Sequence, residues 1–343
     1  MAVALFIRLY WRVHLLERHN MKLTNNAQAI VMLCSHLGLP EKADFKPLTP
    51  SEWNKLACRI SGSALGSPGR LLGLSEVNLQ HELDLDERES QRLSWLLGRG
   101  GGLAIALERL QSLGIWIVTR ADPDYPSRLK ERLTNRAPVI MFGVGESALL
   151  GQPGVAVVGS RNANQQAQAC ADFIGQACAR EGLVLYSGGA RGVDSISTQA
   201  ALDACGAAVS VLARSLEKTI RDPEVRSHIF GGNLVLTTPY APSVGFSVGA
   251  AMGRNKLIYA LADYALVVAS GAGTGGTWRG ATEALKGNWL PVFVVDGPQV
   301  PEGNRKLQQK GAIPLPIDLL DAPLSLQEWL QTHAAGFEVP LIQ

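Results

Sequence analysis

VVASGAGTGGTWRGATEAL, residues 267–285, passes from a β-branched apolar run through a loop of glycines and threonines into a helical pattern. A short buried strand that leads through small residues into a helix is the repeating unit of a parallel sheet. Its glycines let backbone amides approach an anion at the positive end of the helix. Similar apolar runs recur at VAVVGS (155–160), LVLYSGG (183–189), AAVSVLA (207–213), LVLTTP (234–239), YALVVAS (264–270) and PVFVVDG (291–297), with helical segments between them. Strands buried on both faces have this nearly continuous apolar character. The alternation with helices predicts an α/β domain, a doubly wound and mostly parallel sheet of about six strands over residues 151–312.

Upstream the periodicity changes. NAQAIVMLCSHLGL, SEWNKLACRISGSAL, RESQRLSWLL and GLAIALERLQSLG place apolar residues three or four apart, which predicts a small helical domain over residues 21–114. The run Gly100–Gly102 reads as a flexible turn before the last of these helices, with a phosphate-binding helical hairpin as the other reading. Residues 115–150 read as a connector with a strand at each end, and 313–343 as a tail whose one regular element is the helix SLQEWLQTHA. Residues 1–20 form an N-terminal extension. Arg8 and Arg12 interrupt its apolar run, which argues against a signal peptide, and Met21 opens a more ordinary sequence.

The 343 residues are 46% hydrophobic and carry a formal charge of +2, so contact with a polyanion has to come from a local patch. Five cysteines without a CxxC pair argue against a zinc site and a disulfide framework and point to a reducing, cytoplasmic setting. No apolar stretch is long enough to span a bilayer, so no membrane partner is expected.

In an open parallel sheet, ligands bind outside the carboxyl ends of the strands. The glycine loops collect there, in GSRNAN, SGGARGVDS and SGAGTGGT, together with Arg161, Arg191, Arg214 and Arg254. Amides and guanidinium groups on one rim suit a phosphate backbone. Gly271, Gly273 and Gly276 also match GxGxxG, with Asp296 about twenty residues on. That fingerprint belongs on the first strand of its unit, however, and only one more strand is evident after this loop. No GxxxxGK[ST] occurs. The loop is also similar to the GGxGTxxE signature of lonely-guy-type nucleotide phosphoribohydrolases, but the third residue after Thr274 is Thr277, not an acid, and Glu283 comes later.

In order and spacing, DPDYPSRL, VAVVGSRN, SGGARGVDSISTQAAL, GRNKLIYALADYALVVAS, GTGGTWRGATEAL and VFVVDGP resemble the DNA-processing protein A (DprA/Smf) family over residues 115–312. The resemblance implies a Rossmann-like core that binds single-stranded DNA without base specificity, forms a homodimer and hands the strand to a RecA-type recombinase. It requires no catalytic residue, metal or cofactor. The family's GSR falls on Gly159, Ser160 and Arg161. Its SGxARGID falls on Ser187, Gly188, Ala190, Arg191, Gly192, Val193 and Asp194, and its RNR on Arg254, Asn255 and Lys256. Gly189, Gly273, Thr274, Gly275, Gly276 and Thr277 complete the expected phosphate-binding set, and Asp194 reads as a structural acid or helix cap.

The sequence departs from the family at Thr198, where a histidine is usual, and at Thr237, Thr238 and Pro239 in place of SE-P. It departs again at Ala272–Trp278, and the family's winged-helix tail is not expected here. Trp278 reads as a packing residue or as a stacking platform for a base. These changes describe a diverged member, which leaves transformation, recombination and phage defence open as settings. The alternative is a nucleotide-binding or nucleotide-hydrolysing module that regulates an operon-encoded partner.

Overall fold

The computed structural model describes residues 23–321, 325–335 and 337. The extension at residues 1–20 and Met21 lie outside them. Two compact units are present. One comprises the chain up to Tyr125 with Asn135–Val144 and Pro239–Ala241, the other Pro126–Thr134, Gly145–Thr238 and the chain from Pro242 onward.

The first unit holds helices α1 (Asn25–Cys34), α2 (Pro50–Gly62), α3 (Glu76–Leu83), α4 (Glu87–Leu97) and α5 (Gly100–Ser112). An antiparallel pair, β1 (Trp116–Thr119) and β2 (Ile140–Val144), belongs to the same unit. Capping boxes start α2 (Thr49 with Glu52) and α4 (Asp86 with Glu89), each satisfying two amides that the helix leaves open. Glu52 also accepts from Arg92 at 2.8 Å, and this hydrogen bond holds its carboxyl down at about 2. The glycine run is not a turn. Gly100–Gly102 form the first turn of α5, because a Cβ on Gly102 would lie 2.4 Å from the carbonyl oxygen of Gly38 and only glycine lets the two segments meet.

The second unit opens with α6 (Ser127–Leu133), so the expected connector is divided between the units. Strands β3 (Gly154–Gly159), β4 (Val184–Ser187), β5 (Ala208–Val211), β6 (Leu234–Thr238), β7 (Tyr264–Ala269), β8 (Val292–Asp296) and β9 (Ile313–Pro316) follow. Their pairings are all parallel, in the order β6-β5-β4-β3-β7-β8-β9. The sheet of this unit thus has seven strands, not six, and two strands follow the glycine loop. The missed strand is IPLP; proline cannot complete a ladder, so it reads as a tail while pairing at the sheet edge with Phe293–Asp296.

The intervening helices are α7 (Gln165–Arg180), α8 (Val193–Asp203), α9 (Leu216–Thr219), α10 (Pro223–Phe230), α11 (Val248–Leu261), α12 (Gly275–Gly287), α13 (Glu302–Gln308) and α14 (Leu326–His333). Val155 to Val158, Ala265 to Ala269 and Val292 to Val295 are all buried, as continuous apolar strands should be. Strand order runs outward from β3 through β4 and β5 to β6, then returns and runs outward the other way from β7. Neighbours β3 and β7 therefore send their chains to opposite sides, and a crevice opens at their carboxyl ends.

Candidate functional site

A cavity of about 430 Å³ lies at that reversal. One side consists of Gly159, Ser160 and Arg161 after β3 and of Gly271, Thr274, Gly275, Gly276 and Thr277 after β7. The other is the first turns of α11, with Phe246 and Val248, and Asp194 of α8 lines it as well.

The two glycine-bearing sides are built differently. Gly273 and Gly275 have φ of +72° and +87°, and a Cβ on either would meet nothing within 4 Å. They are glycines because of backbone conformation, and they leave the loop open. Helix α12, which this loop starts, has no side-chain cap on its first amides, whereas Ser247 caps α11 by accepting from Ala250. The Thr277 hydroxyl donates to Gly159 O at 3.0 Å and joins the start of α12 to the end of β3. Asn304, fully buried in α13, steadies the loop from behind. It accepts from Ser270 N at 2.8 Å and donates to Val268 O and Val295 O.

In the SGGARG segment Gly188 serves packing, while Gly189 and Gly192 also have positive φ, +59° and +87°. A Cβ on Gly188 would fall 2.1 Å from the Arg254 guanidinium, and one on Gly192 would fall 2.4 Å from Ser160 O. Arg254 is only 5% exposed. It donates to Gly188 O at 2.7 Å and to Asn255 Oδ1 at 2.9 Å, and Asn255 in turn donates to Gly276 O at 3.0 Å. This chain of contacts aligns α11 with the second loop and with the start of α12. Asp194 lies in the first turn of α8, with Gly192 as the capping residue. Burial pushes its carboxyl up to about 6, against the opposing pull of Arg254 and of the amides of Ala190, Gly159 and Gly188. Tyr259 lines the same wall; its hydroxyl is buried without a hydrogen-bond partner, and burial together with Asp194 drives its pKa upward.

Of the residues expected from sequence, Gly159, Ser160, Arg161, Arg254, Asn255, Thr274, Gly275, Gly276 and Thr277 line the cavity. Ser187 does not: it is buried and donates to Val157 O. Gly188, Gly189 and Gly192 are not among the lining residues. Arg191 is exposed and donates to Asn162 Oδ1 at 2.7 Å, and Arg214 is exposed beyond β5. Lys256 is half-buried, and neither it nor exposed Gly273 is among the lining residues. Trp278 is half-buried with Lys310 5.9 Å from its ring centroid, also outside the lining set. Thr198, Thr237, Thr238 and Glu283 do not line it either. Among the described residues no His, Cys, Asp and Glu group could hold a metal ion, and no helix is long and apolar enough to cross a membrane.

The sequence model of the DNA recombination-mediator protein A family matches residues 116–319, more than half of the chain. The chain belongs to this family. A DNA processing protein DprA of Streptococcus pneumoniae is 31% identical over 196 residues, covering 56% of this chain and 67% of that protein. A putative DNA processing protein DprA of Mycobacterium tuberculosis is 29% identical over 206 residues. This match covers 56% of the present chain and 52% of the mycobacterial one, so the chain spans about half the length of that relative. The X-ray structure of DNA processing protein A from S. pneumoniae superposes with a TM-score of 0.56 at 22% identity, over 78% of this chain and 95% of that one. The Helicobacter pylori DNA processing protein A, studied for its single-stranded DNA binding mode, gives 0.50 at 23% identity over 65% and 97%. These structures share the Rossmann-like α/β fold, which in the present chain has a mostly parallel sheet and follows a helical region in the sequence.

Family motifs also contain residues whose work sequence reasoning missed. In DPDYPSRL, Arg128 pairs with Asp263 at 2.9 Å and donates to Leu261 O and Gln152 O, while Asp263 accepts from Gly154 N. Arg132 donates to Ala260 O and Ala262 O. Together they neutralise the negative end of α11 and fix the start of β3, the two elements that hold Arg254 and Gly159. The signal was a pair of arginines one helical turn apart. Most of their partners, backbone carbonyls of residues 260–262, lie more than a hundred residues away and leave no mark on the sequence.

Proposed function

We propose that this chain binds single-stranded DNA through its sugar–phosphate backbone at the cavity between β3 and β7, without reading base sequence. The observation that carries this is the meeting of an uncapped helix start on an open glycine loop, Gly271–Gly275, with solvent-facing Arg161 at the point where strand order reverses, and with exposed Arg191 in the loop after the neighbouring β4. Free amides and the positive end of α12 favour a phosphate oxygen, and the two guanidinium groups supply countercharge. Arg254 lines the cavity but is buried, and its two terminal nitrogens donate to Asn255 Oδ1 and Gly188 O, so it shapes the wall and offsets Asp194. Family membership supports this reading, as does the fold shared with the H. pylori relative. It extends to a cytoplasmic homodimer that hands the strand to a RecA-type recombinase.

Fluorescence anisotropy with labelled oligo(dT) over a salt series tests the proposal. Affinity is expected to fall linearly on a log–log plot. Arg161→Ala and Arg191→Ala should each weaken binding evenly across sequences and reduce the slope by about one. Salt-insensitive binding would overturn it. Asp194, the acid among the lining residues, accepts from the amides of Ala190, Gly159 and Gly188 beside Arg254, which supports a structural role for it over one in N-glycosidic hydrolysis. Release of free base from nucleoside monophosphates by the purified chain would favour the hydrolase reading instead.

A further inference from the structure

We infer that docking of a phosphate backbone at this cavity is coupled to the uptake of a proton by Asp194, so that strand affinity rises as pH falls; this rests on the single-stranded DNA reading above. The geometry sets a buried acid beside the place where a polyanion would lie. Asp194 shares one cavity of about 430 Å³ with Arg161 and with Gly275 and Gly276 at the open start of α12. In a space of that size, a phosphate on the glycine side stands within about a Debye length of the carboxyl, and the wall between them holds little water to screen the two charges.

The carboxyl is already close to neutrality. It is 6% exposed, accepts from the amides of Ala190, Gly159 and Gly188, and has Arg254 beside it, itself 5% exposed. Burial outweighs these contacts and lifts its pKa to about 6, so a further negative charge nearby is enough to favour the protonated form. Arg254 has little room to answer that charge. Its terminal nitrogens donate to Gly188 O and Asn255 Oδ1, and its guanidinium fills the space where a Cβ of Gly188 would be. The Tyr259 hydroxyl is buried without a hydrogen-bond partner and lies against α12, where a Cβ on Gly280 would fall 3.4 Å from it. Burial drives its pKa upward, so it stays neutral.

The elements packed on α8 add no competing acid to the lining. Strands β3, β4 and β5 carry no charged residue. Helix α7 brings the buried thiols of Cys170 and Cys178, the latter pushed up to about 12, and bears Asp172 and Arg180 at the surface. On α8 itself Asp203 is exposed, as are Arg161 after β3 and Arg191 after β4. A docked phosphate raises the cost of the charged form of Asp194 and leaves the protonated form unaffected. The strand therefore binds the protonated protein more tightly, and by reciprocity binding takes up a proton. Phosphodiesters remain charged throughout, so the strand contributes no titration of its own.

Oligo(dT) affinity of the full chain, measured at fixed ionic strength from pH 8 to pH 5, should rise about tenfold. Calorimetry at pH 6.5 in buffers of different ionisation enthalpy should show net proton uptake on binding. Asp194→Asn is neutral at every pH, so it should bind at pH 8 about as tightly as the unmodified chain does at pH 5, with the pH dependence lost. Should that variant unfold, or bind more weakly at every pH as damage to the wall would make it, aspartate carboxyl-13C labelling of the unmodified chain decides. One resonance should titrate near pH 6 and move to higher pH when oligo(dT) is added. A midpoint that ignores oligo(dT) would overturn the coupling. So would an affinity that is level across the range, or a pH response that a folded Asp194→Asn retains, which would assign it to the histidines. Failure to bind at any pH would defeat the DNA reading itself.

Discussion

Gly188 carries a large share of the site although it lines none of it. The Arg254 guanidinium lies where its Cβ would be, 2.1 to 2.5 Å away, and the buried arginine is anchored to the carbonyl of Gly188 itself. Gly188→Ala is therefore expected to push Arg254 off Asn255 and away from Asp194, leaving a buried carboxylate with less countercharge. A loss of about 1–3 kcal/mol in urea unfolding is expected, with a parallel loss of oligo(dT) affinity. Unchanged stability would mean that Arg254 has a second well-packed position. The motif containing Gly188 is plain in the sequence. Its purpose is not, since a glycine kept for a neighbour's guanidinium and a glycine kept for its own positive φ look alike as letters. Gly275 and Gly188 differ in backbone conformation and in what surrounds them.

Among the elements, α13 illustrates how a short helix with no ligand contact governs a loop that lines the cavity. Asn304 holds Ser270 N, Val268 O and Val295 O, bracing the ends of β7 and β8 where the glycine loop departs. Asn304→Ala would leave three buried backbone groups without this partner. A cost of about 3 kcal/mol is expected, together with faster amide hydrogen exchange at Ser270 and weaker oligo(dT) binding at unchanged salt slope. The strands β3 to β8 and most helices were legible from periodicity, because continuous burial and one-sided burial leave different repeats in the chain. The strand β9 and the first turn of α5 were not, because in IPLP and GGG the local preferences oppose the structure adopted and tertiary contacts prevail.

For the molecule as a whole, the modest net charge of +2 limits what one cavity with exposed Arg161 in its lining and exposed Arg191 in the next loop can hold. The proposed homodimer answers this by offering two cavities to one strand. Affinity should then rise steeply once an oligonucleotide is long enough to occupy both, well beyond the gradual increase of a single site. Binding measured against oligo(dT) length, with oligomeric state followed by light scattering, checks this. A smooth dependence on length from a monomer would remove the dimer from the proposal.

The sequence by itself determined the alternation of strand, glycine loop and helix, the helical region before it, and the family motifs. Burial periodicity and backbone sterics act over a few residues and are written locally. Only the tertiary structure decided that β7 returns beside β3 and so where the cavity opens. It also decided that Arg254 faces inward while Arg161 faces solvent, and which glycines stand open. Each of these depends on which distant segments become neighbours, and a side chain's chemistry is fixed by that company as much as by its own identity.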